Sequence, residues 1–417
     1  MSVFLLTIIL LTPLAWVVLN GPQPSLVEIA GGSIALGWLA MKNQLMALRY
    51  LLPFFAAGMV YTVSGYIASD RSDLVMYSSQ MALLLMFYGL PTGLCLRRLA
   101  AEDEGEQVAI GLVVFALCMA AVSLVILRLP EVQRITGETQ GTFQRTNGDE
   151  NDITYLRFFH ISNIIIGVIP FTLFALAGLP AALTARRPAL LALLGLSVGV
   201  AVYANVLIAT RTALLAGAAS GLIVMLLSWS AIPRRRWLLF GGALTATGLF
   251  AMLYFRQNIA RFDYLLERFA EAGSDGRLPI WSEAMGLVAR FPQGQVAGNM
   301  QTHSWAHNLF LDVGLTNGWV AIGAVLMMFT CAYWHVARRI LAGGFFRSSA
   351  NLVMLGWLLS TSLAGMIQPP QPVFLTVLHL ACAYFAPVRR APLRQASRVE
   401  RAPSAPTHGL ASHHFSA

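Results

Sequence analysis

Runs of about 20 residues without a charged side chain recur along this sequence. As an α-helix, each is long enough to cross roughly 30 Å of hydrocarbon. Composition points the same way. Of 417 residues, 57% are hydrophobic and only 11% are charged, about half the charge of a soluble domain. The chain reads as all-α, a polytopic integral membrane protein. Its formal net charge of +9 would suggest nucleic acid in a soluble protein. Here arginines flanking the spans account for it, and no nucleic-acid partner is expected. Cys95, Cys118, Cys331 and Cys382 all fall inside apolar runs, so they indicate neither a disulfide framework nor a zinc site.

About 12 transmembrane helices are expected. The first five cover residues 3–19, 26–41, 50–68, 74–96 and 107–129. A polar loop over 130–157 follows, then spans at 158–180, 188–208, 212–229 and 237–255. A larger loop over 256–306 separates spans nine and ten, and the last spans are 309–336, 350–367 and 372–388. The apolar N-terminus lacks a basic n-region and a small-residue cleavage site, so it reads as a retained first span. Residues 1–388 form the transmembrane domain. The tail over 389–417 is rich in Arg, Ala, Pro, Ser and His without apolar periodicity, and reads as disordered.

Basic residues set the orientation. Lys42, Arg49, Arg97, Arg98, Arg186, Arg187, Arg234 to Arg236, Arg338, Arg339, Arg347 and the tail arginines share one set of loops. The short loops opposite hold little beyond Arg71 and Arg211. By the positive-inside rule both termini are cytoplasmic. The loops over 130–157 and 256–306 then face the other side, which is the periplasm if the membrane is a bacterial inner membrane.

Polar residues concentrate in 256–318, where Arg256, Arg261, Arg268, Arg277 and Arg290 accompany His303 and His307. Ser274 or Asp275 suits a helix cap and Pro279 a first turn. That helix puts Arg277 and Trp281 on one face, four residues apart; locally the pair also reads as a surface stack with Glu283 nearby. Arg211 interrupts apolar sequence, at a cost of about 2.5–3.5 kcal/mol on insertion scales, which marks it for function unless it snorkels to the headgroups. His303, His307 and Asp312 raise the question of zinc. The Glu of a His-Glu-x-x-His helix is absent, however. His307-Asn308 immediately precedes an apolar run, so His307 sits at the interface, where a neutral imidazole is the natural general base. Arginines bind diphosphate bidentately and stabilise it as a leaving group without a metal. No Asp-x-Asp pair is present to hold a cation for a nucleotide sugar, and neither metal nor cofactor is expected.

Three motifs occur in order: Thr210-Arg211-Thr212 after a span, Gly276-Arg277 with Trp281 in the large loop, and His307-Asn308 with Leu311 and Gly314 to Gly318 entering a span. Together they resemble the O-antigen ligase and O-antigen polymerase superfamily over roughly residues 190–370, with Thr210 where many members carry Ser. The resemblance implies a metal-independent, inverting glycosyltransferase. Arg211 and Arg277 would engage an undecaprenyl-diphosphate-linked glycan and His307 would activate the acceptor hydroxyl, with Trp281, His303 and Asn308 in support. The leading acceptor is lipid A–core, as in lipopolysaccharide biosynthesis; a second lipid-linked repeat, as in a polymerase, is the near alternative. A transporter of lipid-linked sugars is the rival from another class. It should show paired discontinuous helices and midplane ionisable groups, whereas the spans hold few, Glu28 and His379 among them.

Overall fold

A computed structural model describes residues 24–42, 44–68, 88–101, 105–127, 172–208, 211–258, 277–296, 299–301, 306, 308–367 and 372–386. Among the described residues all regular structure is helical. In chain order the helices are α1 (Pro24–Met41), α2 (Leu52–Ala68), α3 (Leu90–Leu99), α4 (Gly105–Leu127), α5 (Pro188–Ile208) and α6 (Arg211–Ser228). They continue with α7 (Arg234–Asn258), α8 (Arg277–Arg290), α9 (Leu309–Leu341), α10 (Ser349–Gly365) and α11 (Pro372–Phe385). Proline opens α1, α5 and α11, the one helical position where its missing N–H and fixed φ cost nothing. Among the described residues three stretches, Ala213–Ala231, Arg234–Tyr254 and Leu309–Leu341, are long and apolar enough to cross a membrane. The expected first span, the loop over 130–157 and the tail over 389–417 lie outside the described residues.

The bundle is built around α10, which buries nearly every side chain from Ser349 to Gly365. Contact between helices runs through small residues, which let backbones approach closely where lipid offers no hydrophobic drive for association. A side chain at Gly356 would collide with the carbonyl of Ala177, and one at Gly93 in α3 with the carbonyl of Leu380 in α11. Trp357 locks the first of these crossings. Its Nε1 donates to the Phe174 carbonyl at 3.1 Å, and its ring lies 4.7 Å from that of Phe174. Elsewhere α9 lies along α2, and α5 along α4. By contrast α7 keeps no described side chain buried, and Leu238, Leu239, Leu249 and Leu253 are left to the surroundings. The bundle holds it near its start, where Arg236 Nη1 donates to the Leu183 carbonyl at 2.8 Å.

The single span expected over 309–336 is instead two helices meeting at Gly318, whose φ of 79° and ψ of −175° are not helical. At 33 residues an unbroken α9 would run about 50 Å, well past the hydrocarbon thickness. The break frees carbonyls that would otherwise point into an apolar region. The strip after α8 takes them up. Val296 N–H donates to the Leu315 carbonyl at 2.9 Å and Gln295 N–H to that of Thr316 at 3.3 Å, while Trp319 N–H reaches the Pro292 carbonyl at 2.9 Å. Gly294 and Gly318 meet backbone to backbone, and a Cβ on Gly294 would stand 2.6 Å from Gly318 N. The indole of Trp319 fastens the joint through Val288, donating to its carbonyl at 3.0 Å.

Gly318→Ala combines a left-handed φ with a collision against the backbone of Pro292 and Gln293. Thermal unfolding in detergent should show a loss of about 2–4 kcal/mol. The control is Gly323→Ala, five residues on, where an added Cβ meets nothing within 4 Å; it should be neutral or slightly stabilising.

Candidate functional site

The segment before α9 is organised by two side chains of the helix start. Asn308 is the N-cap, and its Oδ1 accepts from Phe310 N–H at 3.0 Å and Leu311 N–H at 3.2 Å. These are two of the orphan donors that any helix start leaves. Asp312 returns the favour. Its Oδ1 accepts from Ala306 N–H at 2.7 Å and its Oδ2 from Asn308 N–H at 3.0 Å. This works like a capping box, with the acidic residue one position further in and reaching two peptides. Asp312 has no exposed surface, so both oxygens are committed to backbone donors. It holds the chain immediately before and after His307.

A third contact comes from α8. Trp281 Nε1 donates to the Ala306 carbonyl at 2.9 Å. Both polar groups of the Ala306 backbone are therefore held, and Ala306 is fully buried. Around it a small core forms from Ala284, Val288, Val296 and Leu315, separate from the main bundle core. Gly314 lets α8 settle against α9, since a Cβ there would lie 3.0 Å from Val288 Cγ2. The described part of the polar stretch is thus a packed unit on the first part of α9.

Arg277 and Asn308 tie this unit to the C-terminal end of α10. Arg277 Nη1 donates to the Ile367 carbonyl at 3.3 Å and Asn308 Nδ2 to the Met366 carbonyl at 2.9 Å. Both carbonyls lie just past α10, where cationic and amide donors suit the negative end of the helix. Glu283 accepts from the backbone N–H of Gln301, so each polar group of the expected surface stack has a partner in this unit or on α10.

Arg211 is the first residue of α6, and packing fixes which end of the bundle that is. Gly217 and Gly221 of α6 meet Leu173 and Leu176, then Leu176 and Pro180, so α6 runs parallel to that strip. The strip runs antiparallel to α10, with Phe174 on Trp357 and Thr184 on Ser349, 2.9 Å between hydroxyls. The start of α6 therefore shares an end of the bundle with Met366 and Ile367, whose carbonyls Asn308 and Arg277 hold. The Arg211 side chain, Ser274, Asp275, His303 and His307 lie outside the described residues.

Two things escaped sequence reasoning. Asp312 entered it only as a candidate metal ligand, whereas both its oxygens accept backbone N–H groups; its position four after an N-cap Asn was the available signal. Nothing local marked Met366 and Ile367 as partners. No protein-family model matches this chain, and no characterised protein matches it either.

Asp312→Ala would leave two buried N–H groups without an acceptor, a cost of about 2–4 kcal/mol. Hydrogen exchange should accelerate at the Ala306 and Asn308 amides, with a lower unfolding temperature. Asp312→Asn, which keeps one acceptor oxygen, should fall between the two.

Proposed function

We propose that this chain is a membrane-embedded glycosyltransferase that moves a glycan from a polyprenyl diphosphate to an acceptor hydroxyl, with lipid A–core as the leading acceptor. The observation that carries the reading is the clamp around position 307. Asp312 and Trp281 hold the peptides on both sides of it, which is how a general base at a membrane interface is kept in register with its substrate. The common end shared by Arg277 and the start of α6 also supports the reading. There two guanidinium groups can flank a diphosphate lying at headgroup depth.

In the proposed reaction His307 removes the proton from the acceptor hydroxyl. The resulting oxygen attacks the anomeric carbon from the face opposite the diphosphate and inverts it. As the new C–O bond forms, the bond between the anomeric carbon and the phosphate oxygen breaks. The electron pair leaves with the lipid diphosphate, whose growing charge Arg211 and Arg277 stabilise. The proton remains on His307 until it passes to water.

The test is transfer by purified protein given a lipid-linked glycan and a core acceptor, with EDTA present. His307→Ala should lower transfer by about 100- to 10,000-fold while donor binding is retained. Arg277→Ala should weaken donor binding as well as transfer, by about tenfold or more. Full activity in His307→Ala, or loss of wild-type transfer on chelation, would overturn the mechanism. Transfer only to a second lipid-linked repeat would assign a polymerase, and no transfer to any acceptor would favour a transporter.

A further inference from the structure

The other end of the bundle carries a second arginine site, unrelated to the chemistry above. It begins at the crossing of α3 and α11, where Gly93 allows the α3 backbone to touch that of Leu380. Four residues on from each, on the same faces, stand Arg97 and Tyr384. The Arg97 guanidinium lies over the Tyr384 ring, 5.8 Å from its centroid. The Tyr384 hydroxyl donates to Asn351 Oδ1 at 2.8 Å. Asn351 is held by its Nδ2, which donates to the Phe345 carbonyl at 2.9 Å. From α9, Arg339 lies over the neighbouring ring of Phe385, 5.7 Å from its centroid. Its Nη2 donates to the Ala386 carbonyl at 2.7 Å. The two cations are close enough to repel each other.

The arrangement differs from ordinary basic decoration of a helix end. Arg338, the neighbour of Arg339, is exposed as a snorkelling residue should be, whereas Arg97 and Arg339 are half-buried. Nε of Arg97 and Nη1 of Arg339 are buried without a hydrogen-bond partner. Among the described residues the acid nearest in sequence, Glu106, is engaged elsewhere. It accepts from the N–H groups of Arg186 and Arg187 at 2.8 and 2.7 Å and faces the Arg187 guanidinium at 3.9 Å. Two like charges drawn partly out of water and stacked on rings, one of them also fixed by a carbonyl, need an anion to offset their repulsion and lost hydration. Basic pockets between transmembrane helices are where phosphate-bearing headgroups settle.

We infer that Arg97 and Arg339 form a binding site for a phosphate group between α3, α9 and α11, occupied by the phosphodiester headgroup of an anionic lipid. A free phosphate offers the same chemistry, and the experiment separates the two sources. Thermal unfolding of the full chain would be followed in nanodiscs of phosphatidylcholine alone and of equal parts phosphatidylcholine and phosphatidylglycerol. A parallel detergent sample would be titrated with inorganic phosphate against chloride at matched ionic strength. The expected result is a higher unfolding temperature with phosphatidylglycerol, lost in Arg97→Gln/Arg339→Gln and kept in Arg338→Gln. Native mass spectrometry should show phosphatidylglycerol retention reduced about tenfold in the double variant. Stabilisation by inorganic phosphate alone would support the site and assign it to the free ion. Equal stabilisation of the double variant, or equal loss in Arg338→Gln, would reduce the effect to surface attraction and overturn the proposal. If the double variant does not accumulate, the wild type decides: absence of both phosphatidylglycerol-dependent stabilisation and retained lipid overturns the site. The neighbouring Glu102, Asp103 and Glu104 supply a last outcome. If lipid dependence is absent from the wild type and emerges only when these three are replaced by Gln, the chain supplies its own anion and the lipid site is overturned.

Discussion

A backbone polar group in an apolar region must find a partner in the protein, and the joint at Gly318 is where this chain meets that demand most directly. Breaking α9 releases carbonyls that an unbroken helix would have satisfied. The strip from Pro292 to Val296 supplies the missing donors and takes the Trp319 N–H in exchange. Two glycines make the approach feasible, since a Cβ on either would enter the other strand of the joint. Much else follows from this exchange. It docks α8 onto the first part of α9, builds the satellite core around Ala306, and allows the segment before Leu309 to end on a buried carboxylate.

That carboxylate shows how a charge is kept inside a membrane protein. Asp312 has no exposed surface, and burial alone would make its charge expensive. Two backbone N–H groups at short range, together with the start of the helix it belongs to, offset part of that cost. The arrangement fixes the backbone at Ala306 and at Asn308, on either side of position 307. The opposite end of the bundle uses the reverse device. There Arg97 and Arg339 lie over the Tyr384 and Phe385 rings, and Arg339 is also held by the Ala386 carbonyl. One end thus fixes backbone with an anion, and the other fixes cations without one among the described residues.

Helix positions were largely legible in advance, because charge-free length decides them without reference to anything else. The expected span 188–208 coincides with α5, and 350–367 differs from α10 by one residue at its start and two at its end. The break in α9 was not legible. Gly318 lies in an apolar run that reads as one span, and only the presence of the 292–296 strip makes bending there cheaper than continuing. The site was legible in part. Spacing placed Arg277 and Trp281 on one helix face and Asn308 at a helix start, and those expectations agree with α8 and the cap. The partners each would choose depended on the C-terminal end of α10, some sixty residues away from Asn308.

What the sequence determined by itself is the helical class, the approximate places of the helices and the identity of the residues able to do chemistry. Those follow from local hydrophobicity and from the intrinsic properties of arginine, histidine and asparagine. Only the tertiary structure decided that Asp312 is a clamp for the backbone around position 307, that Arg277 grips the end of α10, and that Arg97 and Arg339 converge. Each depends on a close approach that local sequence does not announce: of α8 and the strip after it onto α9 at Gly314 and Gly318, and of α3 onto the distant α11 at Gly93. A glycine in a sequence states only that an approach is possible, because the surface that comes to meet it belongs to another helix.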